Sequence, residues 1–300
     1  MNIGSKIEKN VETSVKTNNK NVEFYRLYMD YYPLFDNNNK CDDLIRFLSL
    51  SLGKNVEVSV RDNSNYSVYI IDVDKDKGVF GMIGKKHNMK YETLSRIVSK
   101  ENDEPIDTSK LIIEHFTYFY MRFSDYKISV ISNMKAPKFE PTMNAFLKNL
   151  NKDGRYKQLE IIRMTSEIKE LKNKAKSLSK IKFIMSGDKV ENDDSYLNIF
   201  DISETNLISV STTCKIKPKP LKSNDLEKLE NKEYLSSKFD KLFVTFEGDS
   251  DEVFIDLLKD FITLKVFIPG LEKKLKSHQD LDVIKEALID SFNKLFWFAR

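Results

Sequence analysis

The stretch Ile112–Phe139, IIEHFTYFYMRFSDYKISVISNMKAPKF, predicts the element around which the first half of the chain is built. Aromatic residues crowd the run Phe116–Tyr120, and β-branched residues dominate Ile128–Ile131. Such residues favour a pleated, largely buried strand, and the polar pair Ser124-Asp125 between the two runs is typical of a turn. The sequence therefore predicts a hairpin that forms the central part of a sheet and contains no catalytic signature.

Further strands and helices are predicted on both sides of this hairpin. The predicted strands are Val22–Tyr32, Val56–Val60, Tyr66–Asp74 and Val79–Lys85, and the predicted helices are Asp42–Leu52 and Pro141–Leu150. Gly78 is expected to adopt positive φ in the turn that follows Asp74. We therefore expect an α+β domain at 22–153, a mixed and mainly antiparallel sheet with helices on one face, preceded by a flexible arm at 1–21.

The polar break Asn151–Gly154 predicts a domain boundary, because the pattern changes after it. Strand–helix–strand patterns recur at Leu159–Met185 and Leu242–Pro269, the second with a predicted helix at Asp251–Lys259. Two such units suggest an internal pseudo-repeat and a ferredoxin-like, split βαβ domain at 154–300. A final amphipathic helix is expected from Ser277.

The composition of the 300 residues excludes several classes of protein. A hydrophobic content of 40%, with 20 Phe and 13 Tyr, excludes a disordered chain. Two cysteines, Cys41 and Cys214, are too few for a disulfide scaffold and suit a reducing compartment. No apolar run approaches the roughly 20 residues that span a bilayer, so we expect a cytoplasmic protein without membrane insertion.

Catalytic, cofactor and metal signatures are not found. Asp72-x-Asp74-x-Asp76 lacks the glycine and glutamate positions of a calcium loop and is interpreted as a solvated hairpin tip. His115 is interpreted as a sheet histidine in preference to a general base. Glu167-x-Lys169 and Glu170-x-Lys172 have the spacing of metal-dependent nucleases, but on a helix residues two apart diverge. A nuclease therefore remains a lesser alternative.

The net charge is only +3. Local clusters of basic residues are therefore the feature of the sequence that indicates a function. Two lysine clusters are candidate contacts for DNA phosphates, and their members are Lys169, Lys172, Lys174, Lys176, Lys180, Lys182, Lys215, Lys217 and Lys219. Clustered lysines bind phosphates with marked salt dependence. Arginine is scarce in both clusters, so bidentate reading of guanine is not expected.

The carboxy-terminal helix ends in an apolar stripe that needs a partner. Its last residues include Phe292, Leu295, Phe296 and Trp297, more apolar surface than a free helix end exposes. The stripe either completes a core or forms a homodimer interface, and both interpretations stay open here.

The order of elements in the first half resembles a loose family of phage and prophage exclusion proteins of the lambda Rex type. The residues that carry the resemblance are Asn65–Ile71, Val79–Gly81, Phe119–Phe123, Ile128–Ile131, Pro137, Pro141 and Ala145–Leu147. The resemblance covers about half the chain and includes no site motif. It implies an intracellular, dimeric, DNA-binding protein that responds to phage infection.

We therefore expect a non-enzymatic protein of phage defence or exclusion that contacts the backbone of double-stranded DNA without strong sequence specificity. Antiviral defence by abortive infection is the expected setting. The alternative is a protein-interaction subunit or inhibitor in a defence or anti-defence complex that includes a second protein.

Overall fold

The computed structural model describes residues 19–32, 40–60, 64–88, 112–165, 177–186, 189, 209–215, 231–247, 252–259, 261–268 and 278–298. The strands are β1 (Asn19–Tyr31), β2 (Asn55–Val60), β3 (Ser64–Asp74), β4 (Gly78–Asn88), β5 (Ile112–Arg122), β6 (Lys127–Ile131), β7 (Tyr156–Arg163), β8 (Ser177–Ser186), β9 (Ser209–Lys215), β10 (Lys241–Glu247), β11 (Glu252–Asp256) and β12 (Phe261–Phe267). The helices are α1 (Lys40–Leu50), α2 (Phe139–Leu147), α3 (Lys232–Lys238) and α4 (His278–Phe298).

These strands form one twelve-stranded sheet in the order β2-β3-β4-β5-β6-β1-β12-β11-β10-β8-β9, with β7 paired to β1 outside this path. Every pairing between the named strands is antiparallel. The α+β class is confirmed.

Strand β1 joins the two halves of the sheet because it has three neighbours. On one edge its residues 22–26 pair with β6. On the other edge its residues 19–23 pair with β12, and its residues 25–31 pair with β7. The strands β7 and β12 therefore lie end to end along β1, and the junction between them falls beside Glu23, Phe24 and Tyr25.

Two hydrophobic cores cover the opposite faces of the sheet. Val22 and Phe24 of β1 belong to the core that contains α4, whereas Tyr25 and Leu27 belong to the core that contains α1 and α2. Alternation along a strand sends successive side chains to opposite faces. The helices of the first half thus lie on one face, as predicted, and α4 returns from the carboxy-terminal part to cover the other.

Most predicted elements of the first half are confirmed. The central hairpin is β5–β6, with the predicted turn between the strands. Gly53, three residues after the end of α1, has φ +68°. The prediction for Gly78 was wrong, since the positive-φ glycines in the described residues are Gly53 and Gly154. Gly78 instead faces the carbonyl of Met121, and a Cβ there would collide with it.

The region after Gly154 differs from the prediction. The helix predicted at Asp251–Lys259 is wrong, because the structure has β11 there, paired with β10 and β12. These three strands form an antiparallel meander in place of a βαβ unit. The ferredoxin-like arrangement is not confirmed. The predicted helix at 166–177 falls on residues that lie, except for Ser177, outside the described ones.

The predicted division into domains at 22–153 and 154–300 stays a prediction. Strands from both sides of Gly154 belong to the same hydrogen-bonded sheet. The predicted amino-terminal arm ends earlier than expected, because β1 begins at Asn19, which pairs with Phe267. Residues 1–18 lie outside the described part of the chain.

The carboxy-terminal helix α4 is anchored at Phe292. This residue was predicted at an interface, but its side chain is only 2% exposed. Its ring lies 6.1 Å from that of Phe24 and 6.2 Å from that of Tyr120, and the Arg122 guanidinium lies 4.8 Å from its centroid. Phe292 is therefore a core residue and is not available to a partner in this fold.

The rest of the predicted interface stays a prediction. Leu295, Phe296 and Trp297 belong to α4, but their side chains lie outside what the structure describes. Among the helices of the described residues, none combines the length and apolar character that a membrane span requires.

Replacing Phe292 with Ala is expected to lower the free energy of unfolding by about 3–5 kcal/mol, because it leaves a cavity between α4 and the sheet. Urea denaturation measures the change. Asn293→Ala, at an exposed position of the same helix, is the control. Equal stabilities of the two variants would contradict the core position of Phe292.

Candidate functional site

Three of the predicted DNA contacts lie together on the two strands at one end of the sheet. Lys180 and Lys182 are on β8, and Lys215 is on β9. Lys180 and Lys215 are direct cross-strand partners, and Lys182 pairs with Thr213. Partners in an antiparallel pair have Cβ atoms about 4.5–5.5 Å apart and point to the same face. The three lysines therefore form one patch, called the lysine patch below.

The lysine patch is accessible to solvent, and two of its lysines lie directly opposite each other on neighbouring strands. Lys182 and Lys215 are exposed, and Lys180 is partly exposed. Within the described residues neither Lys182 nor Lys215 forms a salt bridge. Like charges directly opposite on neighbouring strands destabilise a sheet.

The remaining predicted contacts cannot be placed. Lys169, Lys172, Lys174, Lys176, Lys217 and Lys219 lie outside the described residues. The structure therefore brings together Lys180, Lys182 and Lys215 and leaves the extent of the patch beyond them as a prediction.

The face that bears the lysine patch continues across the sheet to β1. Cross-strand pairing gives the row Lys215, Lys180, Thr245, Phe254, Thr263 and Glu23. Five strand spacings separate the ends of this row, or about 24 Å. Thr245 is buried, whereas Lys215 is exposed and Thr263 and Glu23 are partly exposed. This face, called the lysine face, is the one that α1 and α2 cover farther along.

A cleft of ≈ 620 Å³ lies on the lysine face where α2 begins. It is lined by Asn21, Glu23, Tyr25, Ser132, Asn133, Met134, Ala136, Pro137, Lys138, Phe139, Glu140, Pro141, Arg163 and Phe261. Its position follows from the junction of β7 with β12, which places Arg163 at the end of one strand beside Phe261 at the start of the other. The volume is in the range of small-molecule sites.

Glu23 is the polar centre of this cleft. Its carboxylate accepts hydrogen bonds from the Tyr25 hydroxyl at 2.9 Å and the Ser132 hydroxyl at 3.1 Å. It also forms a 3.2 Å salt bridge with the Arg163 guanidinium. Three donors from three different strands or strand ends fix the orientation of this carboxylate.

The Arg163 guanidinium packs against two aromatic rings in addition to its salt bridge with Glu23. Its guanidinium carbon lies 4.5 Å from the Phe261 ring centroid and 5.9 Å from that of Tyr25, and Nη2 donates to Thr263 at 3.3 Å. Its Nε is buried and has no hydrogen-bond partner among the described residues. Stacking of arginine on aromatic faces is favourable when the contact is desolvated.

Tyr25 stays a neutral hydrogen-bond donor at physiological pH. Burial, and next the charge of Glu23, raise the pKa of its hydroxyl well above the ordinary value. A phenol with a raised pKa adds stability below its ordinary pKa of about 10 and loses this contribution as the pH rises further. The raised pKa thus extends the Tyr25–Glu23 hydrogen bond into alkaline solution, beyond the pH at which an ordinary phenol ionises.

A second cleft of ≈ 670 Å³ lies on the opposite face of the sheet and shares Asn21, Ser132, Asn133 and Met134 with the first. Both clefts form because β6 ends at Ile131, whereas β5 and β1 run on to either side of it. His115, the predicted sheet histidine, lines this second cleft.

Other candidates from the sequence have simple structural roles. Asp74 accepts from the backbone amide of Asp76 at 3.1 Å and forms a 3.3 Å salt bridge with Lys77, as expected of a hairpin tip. In the part of the chain that the structure describes, no group of three or more His, Cys, Asp or Glu is placed to hold a metal ion.

Sequence reasoning missed Glu23 and Arg163. The signal was present in the alternation of β7, where Ile161 is buried and Arg163, two residues on, faces the same side. A lone arginine at an inward position of a strand requires a partner. The sequence could not identify that partner, because Glu23 is 140 residues away and reaches it only through the sheet.

No model of a known protein family matches the chain, and a search among curated proteins gives no match either. The resemblance to exclusion proteins of the lambda Rex type stays a prediction.

Replacing Glu23 with Gln is expected to lower the pKa of Tyr25, because the replacement removes a negative charge and a charged acceptor beside its hydroxyl. Phenolate absorbance during alkaline titration measures the shift. The double variant Glu23→Gln, Tyr25→Phe identifies which step belongs to Tyr25, and Glu160→Gln on exposed surface is the control. An unshifted step would contradict the geometry of Glu23 and Tyr25.

Proposed function

We propose that this protein binds DNA through the phosphate backbone, with Lys180, Lys182 and Lys215 as contacts. The observation that carries the proposal is the direct cross-strand pairing of Lys180 with Lys215, next to Lys182 on the same face. A polyanion supplies phosphates to several clustered lysines at once.

Contacts of this kind position a protein on DNA without reading its sequence, because lysine presents a point charge in place of a planar fork. The proposal is therefore for binding without strong sequence preference and without catalysis. Lys169, Lys172, Lys174, Lys176, Lys217 and Lys219 would extend the same surface.

The proposed setting is phage defence or exclusion, as the resemblance to the Rex type implies. A homodimer that uses Leu295, Phe296 and Trp297 would double the number of phosphate contacts. The division into two domains and the cytoplasmic location belong to the same proposal.

The test is a salt titration of DNA binding with the triple variant Lys180→Gln, Lys182→Gln, Lys215→Gln. Each phosphate contact contributes about 0.9 to the slope of log K against log salt, so the slope should decrease by about 2 to 3 units. Fluorescence anisotropy of a labelled duplex measures binding across the salt series.

The matched control is Lys54→Gln, Lys75→Gln, Lys152→Gln, which removes the same charge from exposed positions outside the lysine patch. Its salt slope should equal that of the wild-type chain. The proposal fails if the wild-type chain does not bind DNA at low salt, or if both triple variants bind alike.

A further inference from the structure

Strand β12 presents aromatic and cationic side chains on the lysine face. Ile262, Leu264 and Val266 are buried beneath α4, so the alternating residues face the other side. The residues that face this side are Phe261, Thr263, Lys265 and Phe267. Phe267, the last residue of β12, is 61% exposed, which is a large exposed area for an aromatic side chain.

Two other aromatic residues lie on the same face as Phe267. Phe243 pairs with Asp256, and Asp256 pairs with Phe261, so both phenylalanines point to the side that bears the lysine patch. Both are partly exposed. Phe261 and Phe267 are six residues apart on one strand, or about 20 Å.

The helices cover only part of the lysine face. The helices α1 and α2 cover this face over the first half of the sheet, and none of the four described helices packs on it between β12 and β9. The cleft with Glu23 and Arg163 lies at the foot of α2, where the covered part ends. Amide, carboxylate and guanidinium groups therefore line the cleft beside Phe261, the first residue of β12.

Lysine side chains accompany these rings. Lys180, Lys182, Lys215 and Lys265 lie on this face, and Lys138 lines the cleft. The acidic residues on the same face are Glu23, which Arg163 neutralises, Glu140, Asp256 and the cross-strand pair Glu247–Glu252. Rings and cations on one surface are complementary to the bases and phosphates of a nucleic-acid chain.

We propose that the lysine face binds single-stranded nucleic acid, with unpaired bases stacked on Phe267 and inserted into the cleft beside Phe261 and Arg163. This inference rests on the proposed function, since the lysine patch supplies the phosphate contacts, and it names the form of nucleic acid. Exposed aromatic residues on a sheet are an established means of stacking bases. A duplex cannot use them, because its bases are paired and stacked inside the helix.

The test compares a labelled single-stranded oligothymidine with a duplex of the same length, using the full chain at low salt. The single strand should bind about tenfold more tightly. Phe267→Ala should weaken single-strand binding about tenfold, in line with the loss of one stacked base, and leave duplex binding unchanged. Because Phe267 is largely exposed, the variant should unfold at the wild-type urea concentration.

Tyr234→Ala is the matched control, since Tyr234 is 55% exposed on α3 and lies outside the lysine face. It should bind both probes as the wild-type chain does. Equal wild-type affinities for the two probes, or unchanged single-strand binding in Phe267→Ala, would overturn this inference and leave phosphate binding by the lysine patch intact. Absence of binding to either probe would overturn both proposals.

Discussion

The pairing of β1 is the constraint on which the rest of the structure depends. Its residues 22–26 pair with β6 on one edge. On the other edge its residues 19–23 pair with β12 and its residues 25–31 pair with β7. One strand thus connects the hairpins of the first half to the meander β10–β12. Val22 and Phe24 of β1 point into one core, and Tyr25 and Leu27 point into the other. The packing of α4 on one face and of α1 and α2 on the other therefore depends on the register of β1.

The candidate sites follow from this register. Because β7 and β12 meet beside Glu23, a carboxylate, an arginine and two aromatic rings converge in one cleft. The same register places Glu23 in line with Thr263, Lys180 and Lys215 across the sheet. This face therefore carries both lysines and aromatic rings.

The elements that could be predicted from the sequence are those that depend on residues close together in the chain. The hairpin β5–β6 was predictable because turn residues and β-branched runs act over a few residues. Strand β11 was mistaken for a helix, since DEVFIDLLK has helical spacing, and only its pairing with β10 and β12 reveals a strand. The pairing of Asn19 with Phe267 and the contact of Arg163 with Glu23 join distant segments, so neither could be predicted from spacing. Lys180 and Lys215 were predicted as candidates, but their direct opposition was not.

Native-state hydrogen exchange of the variant Phe24→Ala tests most directly whether β1 couples the two halves. Phe24 is fully buried, so the substitution should cost about 3–5 kcal/mol. The structure predicts that the opening free energies of the amides in β6 and β12 decrease together and by the same amount, because both strands depend on β1. Loss of protection in one of these strands, with the other unchanged, would contradict a single sheet organised around β1.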